Sequence, residues 1–346
     1  MLEPSSADTN PKNSKLSLII CAVAVIFSFG AGWLVHSRII DSTKNSQTLR
    51  SGGEGYKFIN PLLLCNVNEK NQSEESGGLG KKLQSFVDQA ISKKDIDNAS
   101  IYFRELGTGK WSDINGNEVY SLASLGKLPI LITYLKLGEA DSKVFEKILI
   151  YNGDQDDNKQ QEIVPINSII PNKPYQVSEL LFYMMAYSDN NATALLYNNL
   201  DFNYLKAVYE DLGISLENVG KNPKAIDFIT ARQYSYFFRI LFNATFLNRG
   251  NSEQALKAMT QTTFKDGLRM GVPENIEVAH KFGLTSILDQ NVLKITSREL
   301  HDCGIIYTEN PYLLCVMTKS HAPIEKIEGF IKDVSKTVYE EVIGKN

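Results

Sequence analysis

The stretch YSLASLGKLPILITYLK (residues 120–136) contains a serine and a lysine three positions apart, at the start of a long apolar run. Residues three apart lie on the same side of a helix, so we expect Ser124 and Lys127 to be neighbours. An amine beside an apolar helix has its charged form disfavoured, which lets it act as a base toward a nearby hydroxyl. The pair alone is equally consistent with an ordinary helix-start serine and a solvent-facing lysine.

Two further polar motifs follow along the chain. Ser188-Asp189-Asn190 lies between a predicted helix over 178–187 and an apolar run over 192–200. Asp and Asn often form turns through their own side chains, so this motif also fits a plain interhelical turn. Lys281-Phe282-Gly283 lies in a predicted strand. A glycine there either marks a bulge or lets another backbone approach closely.

The hydrophobic pattern around these motifs predicts β-structure near both ends of the domain and helices between them. Apolar residues at helical spacing predict a first helix over 83–91 and a closing helix over 324–338. Strands are predicted over 100–105, 280–284, 304–307 and 312–318. We therefore predict a sheet built from both ends of the domain, with a mostly helical block at about 121–259 inserted between them.

Composition excludes several functions. The 346 residues contain 36 Lys and Arg against 40 Asp and Glu, a net charge of −4. Such a chain has no overall attraction for phosphate backbones, so we expect no nucleic-acid partner. Its four cysteines and four histidines form neither a CxxC nor an HExxH motif, so we expect no metal site.

A membrane anchor is predicted near the start of the chain. Residues 16–35 form a 20-residue stretch without a charge, long enough at about 1.5 Å per residue to cross a bilayer core. A cleaved signal peptide is the alternative, although its apolar region is usually shorter. The predicted organisation is a tail at 1–15, an anchor at 16–38, a tether at 39–80 and a domain at 81–346. An apolar patch over 58–64 in the tether could dock on the domain.

The three motifs in this order resemble the penicillin-recognising serine enzymes, which carry S-x-x-K, then S-x-N, then K-[ST]-G. The stretch HDCGIIYTENPYLLCVMTKS (301–320) looks like the strand pair that follows the third motif in class A β-lactamases. The stretch ITARQYSYFFRIL (229–241) looks like the helix after their Ω loop. The resemblance extends from about residue 81 to the end of the chain and implies no cofactor. The fold that it implies is α+β, with an antiparallel sheet flanked by helices and an all-helical subdomain inserted at about 121–275.

The resemblance also implies roles for individual residues. Ser124 would be the nucleophile and Lys127 the base that accepts its proton. Ser188 would relay a proton to the leaving nitrogen, aided by the charge of Lys281. Substrate binding would involve the Asn190 side chain, the close approach at Gly283, and an oxyanion hole made by the backbone N–H groups of Ser124 and Leu284.

Two departures from the family pattern stand out. Phe282 replaces the Thr or Ser whose hydroxyl holds a substrate carboxylate, and Thr285, on the same strand face as Lys281, could substitute for it. The segment before Ile229 also lacks the E-x-x-L-N whose glutamate activates the deacylating water. Its only acids are Asp211, Glu217 and Asp227, at positions that do not match. We therefore expect slow deacylation.

These features predict a single-pass cell-membrane protein whose C-terminal domain is extracytoplasmic. The orientation follows from the expected function, because the positive charges flanking the span do not decide it. The expected activity is acyl transfer through an acyl-enzyme, from a β-lactam or a D-Ala-D-Ala-type peptidoglycan stem peptide. The alternative is a non-catalytic cell-wall or peptide-binding domain on the same fold.

The cysteines and histidines near the predicted sheet are expected to have structural roles. Cys303 and Cys315 lie on strands joined by a tight turn, so they either form a disulfide or are two small buried apolar residues. We favour the latter, because unpaired cysteine is commonly buried. His280 and His301 are predicted to be structural.

Overall fold

The computed structural model describes residues 55–60, 77–214, 228–289 and 294–344. The strands in these ranges are β1 (Asn98–Glu105), β2 (Trp111–Ile114), β3 (Tyr120–Ser121), β4 (Ile148–Ile150), β5 (Pro174–Gln176), β6 (Phe228–Ile229), β7 (Glu277–Asp289), β8 (Lys294–Tyr307) and β9 (Tyr312–Lys319). The α-helices are α1 (Gly77–Ser92), α2 (Lys127–Ala140), α3 (Val177–Ala186), α4 (Asn190–Asn198), α5 (Phe202–Asp211), α6 (Ala231–Phe242), α7 (Arg249–Thr260) and α8 (Ile324–Ile343).

A five-stranded antiparallel sheet joins the two ends of the domain, in the order β2-β1-β9-β8-β7. The first and last parts of the domain meet where β1 pairs with β9, with Asn98 opposite Lys319. The other edge strand, β7, pairs with β8 alone among the described strands. Helices α2 to α7 come from the chain between β3 and β7. The α+β prediction with an antiparallel sheet and flanking helices is confirmed.

Both faces of the sheet are buried, which explains its sequence pattern. Ile101 and Phe103 face a core shared with α1 and α8, whereas Tyr102 faces the core of the helical block. Seven of the eight residues of β9 are buried, so its sequence is a continuous apolar run without alternation. Helix α2 is likewise buried from Lys127 to Leu135, because other helices and the sheet surround it. This burial carries Lys127 into the interior.

Some elements differ in extent from their predictions. Strands β7 and β8 run to 13 and 14 residues, well beyond the predicted 280–284 and 304–307. Their additional residues near the β7–β8 turn are largely polar and pair with each other, as in Thr285 opposite Glu299, so hydrophobicity does not reveal them. Helix α1 begins at Gly77, before the predicted end of the tether at residue 80. The helical block also contains the β4–β5 ribbon.

The two strand cysteines are joined. Cys303 and Cys315 are directly opposite in β8 and β9 and form a disulfide, with both residues fully buried. The preferred interpretation of two separate buried thiols was therefore wrong. Opposed positions in a non-hydrogen-bonded antiparallel pair bring the two side chains close enough to bond, and that register depends on the whole sheet.

A short segment of the predicted tether docks on the domain. Phe58 and Ile59 are buried, and the Tyr307 hydroxyl donates a hydrogen bond to the Phe58 carbonyl at 3.0 Å. The Glu253 carboxylate accepts hydrogen bonds from the backbone N–H groups of Lys57, Phe58 and Ile59, at 2.7, 2.7 and 3.0 Å. The first part of the predicted docking patch at 58–64 thus packs on the domain, and residues 61–64 lie outside the described ranges.

The predicted tail at 1–15 and anchor at 16–38 also lie outside the described residues. Within the described ranges, the structure has no helix that is both long and apolar enough to cross a bilayer.

The Glu253 contact leads to a stability prediction. Glu253→Gln leaves the side chain in place but removes the charge that strengthens three hydrogen bonds. We expect the free energy of unfolding of the full-length protein, measured in urea, to fall by about 1–3 kcal/mol.

Glu277→Gln is the matched control, because Glu277 contacts the same segment only through an exposed ion pair with Lys57. Such pairs contribute about 0–1 kcal/mol. Equal losses in the two variants would contradict the proposed anchoring role of Glu253.

Candidate active site

Ser124 lies in a 3₁₀ turn (Ala123–Gly126) that leads from β3 into α2. The preceding residue, Ala123, has φ +45°, and Ser188 across the site has φ +57°. Residues other than glycine rarely adopt this left-handed conformation, and surrounding structure must enforce it. Both strained positions therefore lie at one site, where they fix the direction of the two serine side chains.

Lys127 connects the serine turn to the Ser188-Asp189-Asn190 loop. Its Nζ lies 3.0 Å from Ser124 Oγ, 2.9 Å from Ser188 Oγ, 2.7 Å from the Ser188 carbonyl and 2.7 Å from Asn190 Oδ1. An ammonium has only three hydrogens, so it cannot donate to all four oxygens at once. When the amine is neutral, a serine hydroxyl can donate to it instead, which is the arrangement needed to remove the proton from Ser124.

The surroundings of Lys127 favour the neutral amine. Its side chain is 3% exposed, and burial is the main reason that its pKa lies well below the ordinary value. The nearby charge of Lys281 lowers the pKa further, whereas the charge of Asp189 opposes the shift. The amine is therefore suited to accept a proton.

Asp189 holds the loop that carries Ser188 and Asn190. Its buried carboxylate caps α4 by accepting from the Asn191 backbone N–H at 2.9 Å, and it accepts from the Ile169 N–H at 2.7 Å. Asn158 adds a second link: its Nδ2 donates to Asp189 Oδ1 at 2.8 Å, and its Oδ1 accepts from the Asn190 N–H at 2.7 Å. The turn interpretation of this motif is therefore correct for Asp189, while its two neighbours face Lys127.

Lys281 is a second lysine in contact with Ser188. Its fully buried Nζ donates to Ser188 Oγ at 3.0 Å and to the Phe282 carbonyl at 2.8 Å. Burial lowers the pKa of Lys281 to about 7, against an opposing effect of the Asp302 charge. The Ser188 hydroxyl thus lies between two amines with lowered pKa values, so a proton can pass through it in either direction.

Gly283 brings the edge of β7 against the serine turn. A Cβ at this position would lie 3.1 Å from the Leu125 nitrogen and 3.3 Å from the Ser124 nitrogen. A side chain would therefore crowd the backbone around Ser124. The close contact places the β7 edge, including the neighbouring Leu284, beside the Ser124 N–H group.

Thr285 and Phe282 point in different directions. Thr285 shares a strand face with Lys281 and Gly283, as strand alternation predicts, and its hydroxyl lies 3.0 Å from Ser121 Oγ. Phe282 is 5% exposed and packs into the core on the other face. The structure therefore brings together Ser124, Lys127, Ser188, Asn190, Lys281 and the β7 edge, whereas Thr285 lies farther along that strand.

The region before Ile229 is only partly described. Asp211 is the last residue of α5, and Glu217 and Asp227 lie outside the described residues.

Contacts between distant loops complete the site, and sequence reasoning missed them. Glu162 accepts hydrogen bonds from Arg298 Nε at 2.9 and 3.1 Å and from Ser286 Oγ at 2.7 Å. It therefore ties the loop after Asn158 to the β7–β8 hairpin. No local pattern marks these residues, because each partner is more than 100 positions away in the chain.

The two sheet histidines have structural contacts. His280 Nδ1 lies 2.8 Å from Asp302 Oδ1 in the interior. Burial lowers the pKa of His301 to about 4, and its Nε2 lies 3.0 Å from the Ser121 carbonyl.

Comparison with known families places most of the chain in one group. Residues 80–342 match a family model described as the beta-lactamase enzyme family. No curated protein matches the chain.

Several solved structures share the fold. The penicillin-binding protein PBP-A, as a point mutant in an acyl-enzyme complex with penicillin G, is 21% identical with a TM-score of 0.64, and the match covers 79% of this chain and 99% of PBP-A. The TLA-1 extended-spectrum β-lactamase is 17% identical, with a TM-score of 0.64 and coverage of 76% and 99%. A class A β-lactamase from Mycobacterium abscessus is 19% identical, with a TM-score of 0.62 and the same coverage.

The lowered pKa of Lys281 predicts a pH-dependent stability. Between pH 7 and about 10 the unfolded chain binds a proton at this lysine that the folded chain does not, so the stability of the folded state rises with pH. Lys281→Met removes this effect. We expect the difference in unfolding free energy between wild type and K281M to shift in favour of wild type as the pH rises over this range.

Urea unfolding at several pH values measures the difference, with Lys93→Met as a control at an exposed lysine. If the difference in unfolding free energy between wild type and K281M stays constant with pH, Lys281 does not lie in an environment that disfavours its charge.

Proposed function

The chain belongs to the β-lactamase enzyme family and is a serine hydrolase of the β-lactamase and transpeptidase superfamily, and we propose that Ser124 forms an acyl-enzyme with β-lactam or D-Ala-D-Ala-type peptide carbonyls. One observation carries this proposal: the Lys127 amine lies within 3.0 Å of both serine hydroxyls, Ser124 and Ser188. A nucleophile, its base and a proton relay are therefore in direct contact.

Acylation begins at Ser124. Its Oγ forms a bond to the carbonyl carbon while its proton passes to the neutral Lys127 amine, and negative charge develops on the carbonyl oxygen. The backbone N–H groups of Ser124 and Leu284 are the proposed donors to that oxygen, since Gly283 brings the β7 edge against the serine turn. A donor of this kind contributes about 10²–10³ in rate in other serine enzymes.

Collapse of the tetrahedral intermediate breaks the carbon–nitrogen bond. The leaving nitrogen takes the proton of the Ser188 hydroxyl, which is replaced from Lys127 or Lys281, at 2.9 and 3.0 Å. Asn190 holds the acyl side of the substrate through its side-chain amide, whose Oδ1 is already oriented by Lys127 at 2.7 Å. The products of this stage are an ester on Ser124 and a free amine.

Deacylation is proposed to be slow. The sequence before Ile229 contains no E-x-x-L-N segment, so it supplies no counterpart of the glutamate that activates water in class A β-lactamases. The absence of general-base assistance typically costs about 10²–10⁴ in rate. The ester would then persist, or pass to an amine acceptor as in a transpeptidase.

We also propose that the domain works outside the cytoplasm, anchored to the cell membrane by residues 16–38. The support is the 20-residue uncharged stretch, together with a substrate class that occurs in the cell wall. The peptidoglycan stem peptide is the proposed physiological partner.

A non-catalytic peptide-binding domain is the second candidate. One observation favours it: Phe282 occupies a position where the family pattern has a hydroxyl.

Ser124→Ala is expected to abolish labelling by a fluorescent penicillin, because it removes the attacking oxygen. Denaturing gel fluorescence of the full-length protein measures the covalent adduct. Ser121→Ala is the control: it removes a neighbouring hydroxyl that contacts only Thr285 among the proposed site residues, and it should still be labelled.

Labelling of S124A would contradict the nucleophile assignment. Absence of labelling in the wild type would favour the binding-domain alternative.

The penicillin adduct of the wild type is expected to persist. Intact-protein mass spectrometry after removal of excess penicillin should show the acylated mass decaying at least about 10²-fold more slowly than in a β-lactamase that has the glutamate. Rapid multiple turnover would mean that another group activates the water.

A further inference from the structure

The buried Phe282 ring lies beside the Lys281 amine, with 4.2 Å between Nζ and the ring centre. The ring also stacks on Phe264, with ring centres 4.3 Å apart. The segment before Phe264 is bonded to both walls of the site: Thr262 Oγ1 donates to the His280 carbonyl at 2.8 Å, and the Thr263 N–H donates to the Ala186 carbonyl at 2.9 Å. This segment therefore joins β7 to the end of the helix that leads into the Ser188 loop, and Phe264 follows it directly.

The position of the proposed proton relay indicates which part of the substrate lies beside this aromatic pair. The leaving nitrogen must come within hydrogen-bonding distance of Ser188 Oγ, which is 3.0 Å from Lys281 Nζ. In penicillin and in a C-terminal dipeptide, a carboxylate is attached to the carbon next to that nitrogen. Such a carboxylate would therefore lie within a few ångströms of Lys281 and residue 282.

Lys281 is poorly placed to bind that carboxylate. Its Nζ already donates to Ser188 Oγ and to the Phe282 carbonyl, and the Phe282 ring centre lies 4.2 Å away on another side. With a pKa of about 7, the Lys281 amine is only partly protonated near neutral pH. The Phe282 side chain offers no hydrogen-bond donor in place of a hydroxyl.

The charges around the aromatic pair also oppose an anion. Asp266 lies two residues after Phe264, and its charge and those of Glu325 and Glu162 add to burial in raising the pKa of Glu328 to about 7. Asp266, Glu325 and Glu328 therefore place negative charge near one another, whereas the charge of Glu162 is paired with Arg298. Arg269 points elsewhere, since its guanidinium donates to the backbone carbonyls of residues 272–274.

The nearest cation along the β7–β8 hairpin is also neutralised. Arg298 is bound in a two-oxygen ion pair by Glu162, and both side chains are largely buried, at 15% and 22% exposure. Releasing this guanidinium to a substrate would leave the Glu162 carboxylate without its partner. Lys265, next to Phe264, is exposed, and an exposed charge binds an anion weakly in water.

From these contacts we propose that the preferred acyl donor has an uncharged leaving group. In such a donor, the carbon next to the leaving nitrogen carries an ester or amide in place of a free carboxylate. The inference rests on the proposed function and narrows its substrate class. The chemistry of the step is unchanged, with the Ser124 ester bond forming, the carbon–nitrogen bond breaking and a proton passing to the nitrogen.

The test compares benzylpenicillin with its methyl ester, which differ only in this carboxylate. Second-order rate constants for acylation of the full-length protein are measured by intact-protein mass spectrometry. We expect the wild type to react with the ester at least as fast as with the acid. Phe282→Thr should raise the acid rate by about 10–100-fold, because it introduces a hydroxyl donor to a charged group, and should leave the ester rate within about threefold.

Phe282→Val is the matched control, because valine has the shape of threonine without the hydroxyl, and both variants lose the stacked ring. We expect no gain for the acid in F282V. A wild type that prefers the acid tenfold overturns the inference while leaving the proposed function intact, and so does an equal gain in F282T and F282V. If Lys265→Met abolishes such an acid preference, the exposed lysine is the anion site and the inference also fails.

The wild-type ratio tests the inference even if both Phe282 variants unfold, as their urea midpoints would show. If neither compound acylates Ser124 in the wild type or in folded variants, the proposed function itself fails, and the inference fails with it.

Discussion

The structure depends on a lysine amine taken out of water and surrounded by oxygens from two distant segments. Lys127 is 3% exposed, yet it contacts Ser124, Ser188 and Asn190. Burying an ammonium is costly unless it is paired, so the fold keeps this group only where hydrogen bonds compensate and where the neutral form is accessible. The same condition suits the amine to its proposed role as a base. Stability and reactivity at this site therefore have one cause.

The rest of the site supports that amine from three sides. Asp189 and Asn158 fix the loop beneath it, and the left-handed backbone at Ser188 directs that hydroxyl toward both lysines. On the third side, Gly283 lets the β7 edge approach the serine turn to within contact distance. Because these supports come from separate elements, the site forms only when the helical block and the sheet are packed together.

Phe282 is the residue to which we attribute a change in the substrates that this scaffold accepts. Its neighbours Lys281 and Gly283 keep the positions that the proposed acyl transfer requires, whereas its own side chain turns into the core and stacks on Phe264. In the proposed mechanism, the residues that attack the carbonyl are thus distinct from the residue that influences which leaving group is accepted. Solved structures at 17–21% identity share the fold.

Sequence alone determined the α+β class, the helical block between two β-containing ends, and the three motifs, because hydrophobic periodicity and short spacings are local properties. It also predicted the contact between Ser124 and Lys127, since one helical turn separates them. The tertiary structure decided the rest. The Cys303–Cys315 bond follows from a sheet register, the polar halves of β7 and β8 are strands only because they pair with each other, and Glu162 meets Arg298 across 136 positions. Contacts between residues far apart in the chain leave no local pattern, so only the folded arrangement brings them together.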